Sequence, residues 1–180
     1  MVYVFLADGF EEIEALTPVD MLRRAGVGVT TLGVTGKVVA GSHGIKVEAD
    51  ALASDFASVP DDIEMVILPG GMPGAKNLDE SEIVSSFLKA ASDADAYIAA
   101  ICAAPMVLGK RGLLDGRDAT CYPGFEGALE GATYYEASVV VDGNTVTSDG
   151  MGSALDFALQ LVTLMKGEDE SERLARSVRA

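Results

Sequence analysis

Cysteine, histidine and positive charge are all scarce in this 180-residue chain. Its two cysteines, Cys102 and Cys121, cannot build the disulfide framework of a small secreted domain, so a reducing cytoplasm is the expected compartment. With His43 as the sole histidine, the two thiols cannot close a structural zinc site, and no metal is expected. Thirteen Lys and Arg stand against 28 Asp and Glu, a formal net charge of −15. Nucleic acid and anionic membranes both demand a cationic face, so neither is an expected partner. The chain opens with no basic n-region. Its longest apolar stretch, Ala96 to Gly109, is broken by Pro105 and falls short of a bilayer span.

What the chain does hold is the material for a core. Hydrophobic residues make up 49% and charged residues 23%, which argues against wholesale disorder. No repeat, low-complexity tract or linker interrupts it, and residues 1–180 read as a single domain. Val2–Ala7, Ile63–Leu68 and Tyr97–Cys102 are short apolar, β-branched runs that lead toward helical patterns, as strands of a buried parallel sheet do. Val27–Val34, Ala119–Tyr122, Ala137–Val141 and Thr145–Ser148 read as further strands. Val38–Ala40 and Ile45–Val47 read as a hairpin projecting from the sheet.

Helices are predicted over Glu11–Ala25, Ser81–Ala91, Ala103–Lys110, Ser153–Met165 and Glu168–Arg179. Pro18 implies a kink or a late start in the first of these. Strands alternating with helices give an α/β layered architecture with a mostly parallel sheet.

In such sheets, sites form beyond the carboxyl ends of the strands. Three loops qualify: Asp8–Glu14, Pro69–Gly74 and Cys102–Pro105. No G-x-G-x-x-G follows the first strand, and Gly70, Gly71 and Gly74 lack the Gly-Lys-Ser/Thr ending of a phosphate loop. Dinucleotides and triphosphates are therefore not expected ligands. Cys102 is delivered by an apolar strand to the start of a predicted helix, where a helix N-terminus would favour the reactive thiolate. The competing reading is an inert core cysteine. Gly70 and Gly71 let backbone approach closely, so the N–H of Gly71 could face that of Ala103 and form an oxyanion hole. The alternative is an ordinary Pro-Gly-Gly turn. Glu11 and Glu12 suit a solvent-facing helix start. Glu14, among Ile13, Ala15 and Leu16, could point inward, although a solvated face is the simpler reading for any one of the three. Arg23 and Arg24 complement the dipole of the first helix.

Taken in order, Gly9-Phe10-Glu11-Glu12-Ile13-Glu14-Ala15, Pro18 to Gly26, Ile67-Leu68-Pro69-Gly70-Gly71, Ala99 to Pro105 and Thr147 to Gly152 resemble the ThiJ/PfpI superfamily. The resemblance is to the branch holding the human parkinsonism-associated protein and its bacterial relatives. It implies a flavodoxin-like three-layer α/β sandwich, usually a homodimer, that works without a cofactor. It implies Cys102 as nucleophile, Glu14 against its sulfur, and the backbone N–H groups of Gly71 and Ala103 around the same point. The implied activities are those of a glyoxalase or deglycase acting on small aldehydes such as methylglyoxal. The implied alternative is a non-catalytic oxidative-stress sensor or chaperone. Tyr122 stands where several relatives carry a histidine, and Ala103 where the protease-like branch does, which disfavours a Cys-His hydrolase. His43 lies where relatives often place an arginine. Within this resemblance, the proton shared by Glu14 and Cys102 is expected on Glu14, leaving a thiolate.

Overall fold

The computed structural model describes residues 1–180. In chain order the elements are β1 (Val2–Leu6), α1 (Glu12–Arg24), β2 (Val29–Gly33), β3 (Val38–Ala40), β4 (Lys46–Glu48), β5 (Ala51–Leu52) and β6 (Met65–Leu68). Then come α2 (Gly74–Asp79), α3 (Glu82–Asp93), β7 (Tyr97–Ile101), α4 (Pro105–Gly109), β8 (Asp118–Ala119) and β9 (Thr133–Tyr134). The chain closes with β10 (Val139–Asp142), β11 (Thr145–Ser148), α5 (Ala154–Lys166) and α6 (Glu168–Val178).

Seven strands form one sheet in the order β10-β11-β7-β6-β1-β2-β5. All neighbours run parallel except β10, which is antiparallel to β11. The strands are apolar throughout because both faces of the sheet are covered. Tyr3, Phe5, Val66, Leu68, Ile98 and Ala100 enter one core with Leu78, Val84, Phe87 and Val107 of α2, α3 and α4. Their alternates Val2, Val4, Met65, Ile67, Ala99 and Ile101 enter the other, with Ala15, Val19, Leu22, Phe157 and Leu161 of α1 and α5. Phe87 stacks edge-on against Phe5 at 5.1 Å and Tyr3 at 5.2 Å, pairings worth about 0.5–1.5 kcal/mol each beyond their burial. This is the flavodoxin-like three-layer sandwich, with strand order reversing between β1 and β6.

Several elements differ from the sequence reading for local reasons. The first helix begins at Glu12 and runs through the buried Pro18, with no late start. Its packed face, with Ala15, Val19 and Leu22, offsets the hydrogen bond that the imide removes. The predicted strand Ala119–Tyr122 is shorter, because Thr120 N–H turns to the Thr147 hydroxyl and Tyr122 N–H to the Cys102 carbonyl. The predicted helix from Ala103 starts only at Pro105 and holds five residues. Two-residue β5 and β9 and the short α2 carry too little periodicity to read. The β3–β4 hairpin does not stand free. It is pinned to the β1–α1 loop by Gly9 N–H to Ala40 O and Ser42 N–H to Phe10 O, both 2.8 Å. No helix is long and apolar enough to cross a membrane.

Candidate active site

Three loops leave the carboxyl ends of β1, β6 and β7 and meet at Cys102. The cysteine follows β7 with φ +65°, a left-handed conformation that costs a non-glycine residue about 1–2 kcal/mol. Its backbone is held there from both sides. Cys102 N–H donates to Ser148 O at 2.9 Å, and Tyr122 N–H donates to Cys102 O at 2.8 Å. Such strain, maintained by neighbours, turns the half-buried side chain out of the sheet toward the loops.

Glu14 arrives from the first turn of α1 and is 1% exposed. Its carboxylate accepts the Gly70 N–H at 2.9 Å and lies close enough to the Cys102 thiol for each to perturb the other. Gly70 itself must lack a side chain, since a Cβ there would lie 2.6 Å from Glu14 Oε2 and 2.7 Å from Cys102 Cβ. Gly71, at φ +84°, presents its N–H to the Cys102 sulfur, as does Ala103. Glu11 N–H donates to Gly70 O at 2.9 Å and ties the β1 loop to the β6 loop. Glu14, Cys102, Gly71 and Ala103 are thus assembled at one point. The Gly70 N–H that holds Glu14 had no sequence signal beyond the glycine pair.

The electrostatics couple the two groups. Burial, then the adjacent Glu14 charge and its hydrogen bond, push the Cys102 thiol up to about 12, although the Gly71 and Ala103 amides pull the other way. Burial pushes Glu14 up to about 7 against the bonds from Cys102 and Gly70. The two titrate as a unit that retains one proton through neutral pH. Burial disfavours charge on either partner, while the Gly71 and Ala103 amides favour it on sulfur and the Gly70 N–H favours it on Glu14. The expected thiolate rested on a helix N-terminus and on the Gly71 and Ala103 amides; the helix starts only at Pro105 and holds five residues, whereas both amides act on the sulfur.

Glu12 also departs from its expected solvated position. It is 4% exposed, and its carboxylate takes the His43 N–H at 2.9 Å and the His43 ring Nδ1 at 3.0 Å. Burial alone would raise its pKa. The bonds from the His43 ring and from the His43 and Ile45 backbone outweigh that and hold it at about 2. His43 therefore serves the hairpin. Glu11, Glu12 and His43 offer donor atoms within 4.8 Å of one another, an arrangement already satisfied by this Glu–His bond and the Ser42 hydroxyl. Arg23 pairs with Asp50 and Arg24 with Asp20, at the helix end where dipole complementation put them. Cys121 is a free, fully buried thiol.

Such an arrangement defines a class: a flavodoxin-like α/β protein with a strained cysteine at the strand-to-helix turn and a carboxylic acid in contact with it. Residues 1–164 match the model of the DJ-1/PfpI family, and the chain belongs to that family. It is similar to protein dj-1beta of Drosophila melanogaster, at 37% identity over 97% of this chain and 94% of that one. The crystal structure of that fly protein superposes with a TM-score of 0.94 at 36% identity, covering 99% of this chain and 97% of that one. Toxoplasma gondii DJ-1, solved in an oxidized form, gives 0.93 at 36% identity over 98% and 96% of the two chains. A Caenorhabditis elegans relative named glutathione-independent glyoxalase DJR-1.2 is 32% identical over 92% of this chain and 88% of its own.

Proposed function

We propose that this protein is a cofactor-independent enzyme of the glyoxalase or deglycase type that converts small 2-oxoaldehydes such as methylglyoxal to hydroxy acids. The observation that carries the reading is the contact between a buried carboxyl poised near neutrality and the Cys102 thiol. The name of the nematode relative supports the substrate class.

Glu14 takes the thiol proton as the sulfur adds to the aldehyde carbon, forming a C–S bond. The C=O electron pair moves to oxygen, where the Gly71 and Ala103 amides hold the oxyanion until Glu14 returns the proton. Glu14 then removes the hydrogen from that carbon and delivers a proton to the neighbouring one. This isomerises the hemithioacetal to a thioester of the 2-hydroxy acid. Water cleaves the thioester, releasing the acid and restoring the thiol. No electrons leave the system, so no redox cofactor is consumed. Purified protein should turn methylglyoxal into lactate. Cys102→Ser should abolish that turnover with a nearly unchanged melting temperature, since one atom changes. Lactate production by the variant at the wild-type rate would refute the mechanism.

A second reading, a redox sensor, is favoured by the same hydrogen bonds and by the oxidized form of the Toxoplasma relative. A sulfinate at Cys102 would find donors in the Gly71 and Ala103 amides and in protonated Glu14. Peroxide should then add two oxygens at Cys102 before it modifies Cys121, with Glu14→Gln retaining and Glu14→Leu losing this preference by peptide mass spectrometry.

A further inference from the structure

One turn away from Cys102 lies a cavity of about 340 Å³ whose walls include Thr120, Cys121, Glu126, Tyr134, Glu136 and Asp149. Two backbone hydrogen bonds join it to the cysteine. Tyr122, next to Cys121, donates to Cys102 O, and Ser148, next to Asp149, accepts from Cys102 N–H. The cavity wall carries no Lys, Arg or His.

Its three carboxylates are absent from every ion pair in the chain. Glu126 has its charge fixed, because both oxygens accept the Gly124 N–H at 2.9 Å, which lowers its pKa. Asp149 accepts the Ser153 hydroxyl through Oδ1. The Tyr134 hydroxyl is pushed up by desolvation and then by nearby negative charge, to which Glu126, Glu136 and Asp149 of the cavity wall all contribute.

An independent feature points to a ligand. Thr120 is fully buried, and its hydroxyl is the only buried side-chain polar atom in the chain with no hydrogen-bond partner. Buried hydroxyls are normally paired, and Thr120 is one of the residues around this cavity. The donor set fits a nitrogen cation. Carboxylates and hydroxyl oxygens accept N–H bonds, and a guanidinium offers five donors where an ammonium offers three. A single metal ion fits less well, because the carboxylates of this cavity do not converge as Glu11, Glu12 and His43 do.

We propose that this cavity binds a guanidinium or ammonium group and selects carbonyl compounds carrying such a group for reaction at Cys102. Selection for reaction rests on the function proposed above, whereas cation binding does not. The test is calorimetric titration of the wild-type protein with agmatine, arginine amide and, as a neutral probe, N-acetylalanine amide. Both cations should bind at least about tenfold more tightly than the neutral probe, with affinity falling as salt is added.

E126Q/E136Q should lose about tenfold in agmatine affinity while keeping methylglyoxal turnover. Thr120→Val, nearly isosteric and removing a hydroxyl with no protein partner, should lose about threefold without lowering the melting temperature. An Ac-Gly-Arg-Gly-NH2 peptide separates the sources. Binding as tight as agmatine or tighter assigns the site to a protein side chain, and much weaker binding assigns it to a free amine. Equal affinity for the cations and the neutral probe, or wild-type agmatine affinity in either variant, would overturn the proposal. Cation binding without aldehyde turnover would remove the enzymatic reading alone, and turnover without cation binding would remove this site alone.

Discussion

Between pH 4.5 and about 7 the native protein binds a proton at Glu14 that the unfolded chain releases, because burial raises that carboxyl. The group is raised, so its contribution to stability is present below 4.5 and is lost as pH climbs through about 7. Denaturant midpoints of wild type should therefore fall relative to Glu14→Gln across this window. The same titration sets the rate. Below about pH 7 both groups of the pair are protonated and no base is available, so kcat/KM for methylglyoxal should rise through about 7 and level off. A flat profile would remove Glu14 from the chemistry. Cys102 stood out in the sequence because an apolar strand ended there among small residues. The depth of Glu14 was harder to read, since three glutamates crowd one helical turn and only one faces the thiol. The proton shared by the pair was harder still, because it depends on burial and on a helix three residues shorter than its pattern implied.

The β3–β4 hairpin meets the start of α1 through one polar cluster. Glu12 is lowered to about 2, so its share of stability is present above 4.5 and lost as pH falls toward 2. His43 is raised, so its share is present below 6.5 and lost as pH rises through its folded value. Docking of the hairpin should be firmest between about pH 4.5 and 6.5, where both are charged. His43→Ala should increase amide hydrogen exchange at Ser42 and Ile45 in that window and hardly alter it at pH 9. Equal exchange in both proteins at pH 5.5 would show that the backbone bonds hold the hairpin alone. The strands and long helices were legible because their side chains alternate between two cores or repeat at helical spacing. The burial of Glu12 was not. It is caused by a turn some thirty residues later, and its exposed appearance in the helix pattern is locally correct.

At the scale of the whole molecule, α1, the hairpin and the start of α5 leave an apolar groove containing Ile13, Leu16, Ile45 and Leu155. Ile13 and Ile45 are 49% and 56% exposed, and Met151 beside them 51%. We expect this face to close against a second copy, as symmetric dimers bury such patches. Light scattering should report twice the chain mass at micromolar concentration, and Ile13→Glu should give monomers. Wild-type monomers would contradict the dimer. Such a contact would lie beside Glu11 and His43, one loop from Cys102.

The antiparallel strand β10 ends the sheet with three consecutive valines, Val139 to Val141, the last 41% exposed. An open row of amides on so apolar a strand would template fibril growth by accepting strands from other chains. Asp142 counters this. Its carboxylate accepts the Asp118 N–H at 2.8 Å, and its carbonyl accepts from Arg117 at 2.9 Å, which lays the β8 segment across the strand's end. The opposite edge, β5, is two residues long and offers little to copy. Asp142→Ala should leave aldehyde turnover intact yet shorten the lag before thioflavin-positive aggregates form on warming, so that one carboxylate acts as a guard on the molecule's solubility.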